Sequence, residues 1–128
     1  MKLLLDTATF LWIIADPHRL SRAARSALED TDNSLYLSAV SAWEIAVKHQ
    51  LGKLLLPQHP DFLIPAQRKL RGIETLDVTE PAILRLPRLP DLHKDPFDRI
   101  LACQAIEHEM TIVTSDATLR AYPIRTFW

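Results

Sequence analysis

HKDPFDRILACQAIEHEMTIVTSD, residues 93–116, is the stretch whose reading decides the fold. Asp95 followed by Pro96 starts a helix: the aspartate can accept from the free N–H groups, and proline's fixed φ suits the first helical position. Phe97, Ile100, Cys103, Ile106 and Met110 then recur every three or four residues and form one apolar face, with Arg99, Glu107 and Glu109 off it. Thr111–Thr114 is a short β-branched run that ends at Ser115-Asp116. The pattern predicts a helix packed on a sheet, then a buried strand that delivers a carboxylate at its C-terminal tip.

Working outward, the N-terminus repeats the second half of that pattern. Leu3, Leu4 and Leu5 form a continuous apolar run, as a central parallel strand covered on both faces requires, and Asp6 ends it. Helices are expected over Thr7–Ala15 and Ser21–Asp30, and a strand over Ser34–Ser38. A further helix over Ala39–Leu51 carries Val40, Trp43, Val47 and Leu51 at helical spacing, with Gly52 as its stop. Seven of the nine prolines fall between Pro57 and Pro96. Short helices around Asp61–Leu70 and Thr79–Leu86, a strand within Ile73–Val78 and a last strand near Ile124–Phe127 complete the chain. Alternating strands and helices predict an α/β sandwich with a mainly parallel sheet of four or five strands, formed by a single domain over residues 1–128.

At 48% apolar and 24% charged residues the chain has the composition of an ordinary globular protein, with a formal charge of −1. Lys48, Lys53, Arg68, Lys69 and Arg71 face only Asp61 as an acid between positions 48 and 72; this is a solvated surface by default and a phosphate-contacting face in the sharper reading. One cysteine, Cys103, excludes a disulfide framework and a thiolate zinc site, and is expected to be a buried thiol. MKLLLD is too short for a signal peptide and nothing later approaches a membrane span, so the chain is expected to be cytoplasmic.

In parallel α/β folds chemistry collects outside the carboxyl ends of the strands. Asp6 and Asp116 follow apolar strands, and Glu44 and Asp98 begin helices that should start from the same edge. Each has a structural explanation: Glu44 stands three after Ser41 at capping-box spacing, Asp98 three after Asp95, Asp116 precedes a short helix, and Asp6 precedes a turn. Gathered together, four carboxylates repel by roughly 1 kcal/mol per pair in water and about 4 at an effective dielectric of 20, so they need protons or a metal. All-oxygen ligands favour Mg²⁺ or Mn²⁺ over zinc, which suggests metal-assisted phosphodiester hydrolysis.

Other chemistries lack their residues. With only Gly52 and Gly72 there is no Walker loop and no GxGxxG cradle. A haloacid-dehalogenase-type site would need a second aspartate at position 8, which is alanine, and the paired acids and lysine of a phosphoacceptor receiver are missing. The five histidines never fall at i, i+4 spacing, with His93 the only one near the acids, and no serine sits in a GxSxG elbow.

The segments LLLDTATFLW, LSAVSAWEIAVKHQLGKLLLP and HKDPFDRILACQAIEHEMTIVTSD, with the final Trp128, together resemble PIN-domain ribonucleases of the VapC toxin type, in the same order over almost the full length. The resemblance implies a PIN-like α/β/α sandwich and a Mg²⁺- or Mn²⁺-dependent endoribonuclease. In it Asp6, Asp98 and Asp116 would be the main metal ligands, and Glu44 would help to hold the metal or a second ion through water. Thr7, Thr114 and Ser115 would steady the carboxylates, Lys94 or Arg99 would orient the RNA backbone, and Asp95 would cap its helix rather than bind metal. Cleavage by an activated water would leave 5′-phosphate and 3′-hydroxyl ends. A homodimer and a cognate antitoxin, whose C-terminal segment covers the acidic groove, are also implied. Ala8 and Leu119 depart from the family's usual histidine and phenylalanine without removing a ligand. The competing reading is a PIN-like module that binds protein or RNA without cutting it.

Overall fold

Leu3, Leu4 and Leu5 in β1 (Lys2–Leu5) are all inaccessible to solvent, which is why the run is continuously apolar instead of alternating. The computed structural model that shows this describes residues 1–92 and 94–128. β1 is the middle of a five-stranded sheet of order β3-β2-β1-β4-β5, formed with β2 (Ser34–Ser38), β3 (Ile73–Leu76), β4 (Thr111–Val113) and β5 (Arg125–Phe127). Every pairing is parallel; Leu5 stands opposite Leu37 on one side and Val113 on the other.

The pleat divides the core in two. Leu3 and Leu5 pack with Phe10 of α1 (Thr7–Ala15), Ala24 and Ala27 of α2 (Arg22–Glu29), Ile45 of α3 (Ala39–Gln50) and Ile64 of α4 (Pro60–Arg71). Leu4 turns the other way and packs with Ile112 of β4, Leu101 and Cys103 of α6 (Pro96–Glu107) and Leu119 of α7 (Ala117–Arg120). These two layers on one sheet make the expected α/β/α sandwich, and Cys103 is buried as expected. At the carboxyl edge Trp128 packs edge-on against Trp12, which carries the Arg19 guanidinium 4.7 Å from its ring centroid. Among the described residues no helix is long and apolar enough to cross a membrane.

Two boundaries differ from expectation. The helix expected over Thr79–Leu86 is a single turn, α5 (Glu80–Ile83), followed by a separate 3₁₀ turn over Leu86–Arg88. Pro87 offers no N–H to continue a helical ladder and disfavours helical geometry at the residue before it. β3 stops at Leu76 because its partner β2 ends at Ser38, directly opposite.

Between α6 and β4, exposed Glu109 holds φ of 54°, a left-handed conformation that crowds any Cβ. Glu109→Gly should therefore raise stability by about 0.5–1 kcal/mol, measured by denaturant unfolding, in spite of the extra freedom glycine gives the unfolded chain. A loss of stability would mean that the Glu109 side chain contributes more than its backbone costs.

Candidate active site

Asp6 is the first residue beyond β1, and its backbone N–H reaches Val113 O at the end of β4 (3.3 Å). The side chain caps α1: Oδ1 accepts from the Thr9 N–H at 2.7 Å, while Oδ2 accepts from the Thr114 hydroxyl at 2.5 Å. Thr9 itself donates its hydroxyl to Val113 O. Burial pushes the Asp6 carboxyl above its ordinary pKa; the bonds from Thr114 and Thr9 work against this, and the charge of Asp116 adds to it. Both oxygens are thus oriented while the charge stays costly.

Glu44 lies one turn into α3, almost fully buried. The cap of α3 is Ser38, whose hydroxyl accepts from Val40 N–H and donates to Gln104 Oε1 of α6 at 2.6 Å. Ser41 lies inside the helix, so the Ser41–Glu44 capping box is not formed, and Glu44 is free of that structural duty. Its Oε1 accepts from the Thr7 hydroxyl at 2.7 Å and its Oε2 from Lys48 Nζ at 2.5 Å. Ser41 Oγ stands 3.0 Å from the same Thr7 hydroxyl. Thr7 has one proton to give, and the carboxylate is the stronger acceptor.

The charge pattern groups Lys48 with a basic surface; the structure makes it the counter-ion of Glu44. Its pKa is raised, chiefly by the bond to Glu44, with the fields of Asp95 and Asp98 adding and burial opposing. The i, i+4 order of Glu44 and Lys48 was the signal available for this pairing. A cavity of about 260 Å³ opens beside the pair, lined in part by Thr7, Ala8 and Lys53.

Asp95 caps α6 by accepting from Phe97 N–H at 2.9 Å, as expected. Asp98 occupies the first turn behind it, half-buried, and its carboxyl is pushed up to about 7, first by burial and then by the charges of Asp95, Asp116, Glu44 and Asp6. Asp116 caps α7, accepting from Thr118 and Leu119 N–H, and its own N–H is held by the Thr114 hydroxyl at 3.0 Å. Thr7 and Thr114 therefore bond to acids of the set, and half-buried Ser115 is the link that carries Asp116 beyond β4. The fields at Asp98 bring all four acids into one electrostatic neighbourhood at the carboxyl edge of β1 and β4.

Among the described residues no three His, Cys, Asp or Glu side chains form a ready-made metal cluster. The donor set nevertheless suits a hard divalent cation: it offers only oxygens, and burial together with the charges of Asp95, Asp116, Glu44 and Asp6 pushes the Asp98 carboxyl up to about 7, a cost that a cation would relieve.

The remaining expectations divide. Lys94 is exposed, beside Asp91, Leu92 and Thr118. Arg99 reaches Pro90 O at 3.1 Å, and Tyr122 Oη and Leu86 O at 3.4 Å, which directs it toward the 86–90 segment. His93 lies outside the described residues. Trp43, placed on the apolar face of its helix by spacing, is instead 59% exposed and stacks edge to face with Phe97, with ring centroids 4.9 Å apart.

Residues 3–124 match the family described as PIN domain. Ribonuclease VapC22 of Mycobacterium tuberculosis (strain ATCC 25618 / H37Rv) is 33% identical over 122 residues, covering 93% of this chain and 90% of that protein. Two solved structures share the fold at low identity. One is VapBC2 from Rickettsia felis bound to a DNA fragment from their promoter, with a TM-score of 0.74, 18% identity, and coverage of 99% of this chain and 98% of that one. The other is a toxin-antitoxin complex from Klebsiella pneumoniae, with a TM-score of 0.60, 17% identity, and coverage of 98% and 96%.

Proposed function

This chain belongs to the PIN-domain family, and from that premise we propose that it is an endoribonuclease, the toxin of a toxin-antitoxin pair, in which Asp6, Glu44, Asp98 and Asp116 hold Mg²⁺ or Mn²⁺. What supports this reading is the mutual electrostatic influence of four carboxylates from distant parts of the chain: Asp98 feels the charges of Asp116, Glu44 and Asp6, and Asp6 feels that of Asp116. A binding module gains nothing from such mutual repulsion, whereas a cation site requires it. When bound, the cation supplies positive charge to the scissile phosphate and acidifies a water for in-line attack, leaving 5′-phosphate and 3′-hydroxyl ends.

The chain's own groups set the stage. Thr9 and Thr114 fix both oxygens of Asp6, and Thr114 also holds the backbone that presents Asp116. Thr7 and Lys48 hold Glu44 in its buried position. Lys94, exposed one residue before the cap of α6, is suited to the RNA backbone, and Arg99 supports the neighbouring segment. Residues 1–128 act as one PIN domain. The relationship to ribonuclease VapC22 supports RNA as the substrate; the cytoplasm as the place of cleavage is part of this proposal. The toxin-antitoxin complex among the structural neighbours supports a protein inhibitor as partner; its seat over the four acids and a homodimeric working form belong to this proposal.

Protein freed of inhibitor and stripped with EDTA should leave labelled RNA intact, then cleave it internally once Mg²⁺ or Mn²⁺ is restored. RNA left intact at every concentration of either ion would overturn the nuclease reading in favour of a module that only binds.

A further inference from the structure

Exposure of Trp43 has no structural explanation in the fold, and its position gives it a chemical one. Neighbouring residues on a helix point about 100° apart. With Glu44 turned into the interior, Trp43 emerges on the side of α3 that faces the start of α6, where Phe97 precedes Asp98. Each aromatic residue is thus the sequence neighbour of one of the four acids, and the two rings meet between α3 and α6. Phe97 holds the indole edge to face, so the ring is ordered before anything binds, while most of its surface stays open to solvent.

The occupant follows from charge. Asp95, Asp98 and Glu44 make this junction acidic, and Lys48 is engaged with Glu44. Phosphates are repelled there unless a cation intervenes, so RNA needs an attachment that carries no charge. An aromatic face provides one, because every base has a π-face. Resting on the nuclease reading, we propose that Trp43, buttressed by Phe97, is a stacking platform for one unpaired nucleobase beside the scissile phosphate, and so a residue that selects single-stranded or looped-out RNA. A base paired within a duplex is already stacked on both faces and cannot use it.

The test uses an RNA oligonucleotide with one mapped cleavage site and a series in which each flanking nucleotide in turn lacks its base. Binding is measured by fluorescence anisotropy with Ca²⁺ as the hard cation in place of Mg²⁺, and cleavage separately with Mg²⁺ or Mn²⁺ restored. Trp43→Ala should weaken binding and raise KM by about 10- to 100-fold with kcat little changed. Trp43→Phe should restore most of the loss, and Trp43→Leu, apolar without a π-face, should not. One abasic position should cost the wild type a similar factor and cost Trp43→Ala nothing further. Unchanged binding by Trp43→Ala, or equal losses on intact and abasic RNA, would overturn the proposal. So would a change of oligomeric state with RNA affinity retained, which would assign the ring to a second copy of the chain. Because binding is read apart from cleavage, RNA that is cut and bound regardless of Trp43 sinks this inference alone, whereas a wild type that binds RNA through Trp43 and never cuts it sinks the nuclease reading and leaves only the base contact.

Discussion

Asp98→Asn should lower RNA cleavage by about 100- to 1,000-fold or more, the loss of several kcal/mol of charge stabilisation in the transition state, and at the same time make the cation-free protein more stable above pH 7. The two effects have one origin. The Asp98 carboxyl is raised to about 7 by burial and by the charges of Asp95, Asp116, Glu44 and Asp6, so the folded state holds its proton more tightly than the unfolded state. Stability therefore falls as pH rises from about 4 through 7, as the unfolded chain releases a proton that the folded one retains. Asparagine has no proton to lose, and its gain should be absent near pH 4 and fully present at pH 8. Allowing for solvent around this half-buried group, it amounts to roughly 1–2 kcal/mol. Thermal unfolding in EDTA at pH 4, 6 and 8 measures it. Equal stability of the two proteins at pH 8 would show that neither burial nor the neighbouring charges raise this carboxyl.

The same proton ties the cation to pH. A ligand must lose its proton to bind metal, so Mn²⁺ affinity should rise about tenfold per unit below pH 7 and level off above it. In Asp98→Asn that dependence should be flatter, because the group responsible is gone.

The sequence disclosed what depends on a strand's own residues. Leu3 to Leu5 had to be a central parallel strand because no face is polar, and Asp6 and Asp116 had to lie at strand ends because the apolar runs stop there. Partners that depend on distant closure were less visible. Thr9 holds Val113 O, 104 positions away, and no local pattern marks that bond. Ser38 and Ser41 are equally good caps by type; the end of the β2–β3 pairing decides for Ser38. Lys48 stood in a run of basic residues that hid its i, i+4 relation to Glu44. Trp43 has the spacing of a core residue, but spacing does not show which stripe of a helix borders an open crevice.

Asp6 offers the sharpest separation of a structural from a chemical role, since it demonstrably has the first. Asp6→Asn keeps an amide oxygen for the Thr9 N–H, and asparagine caps helices as well as aspartate does. Its NH₂ can donate to the Thr114 oxygen, which reverses that one bond and obliges the Thr114 hydroxyl proton to turn to another acceptor. Stability should hold or rise slightly, because the carboxyl was already pushed above its ordinary pKa by burial. Asp6→Ala removes the cap, about 1 kcal/mol, and leaves buried Thr9 N–H and Thr114 hydroxyl unpaired, a total of roughly 2–4 kcal/mol. A loss near 10 °C in melting temperature follows for a chain of this size. If Asp6 serves only the fold, Asp6→Asn cleaves RNA normally and Asp6→Ala fails in proportion to its unfolding. If it holds the cation, both lose cleavage by about 100-fold or more at temperatures where both are folded, and Mn²⁺ raises the melting temperature of the wild type but of neither variant. The isosteric change decides, because it removes the charge while keeping the side chain's shape and its bond to the Thr9 N–H.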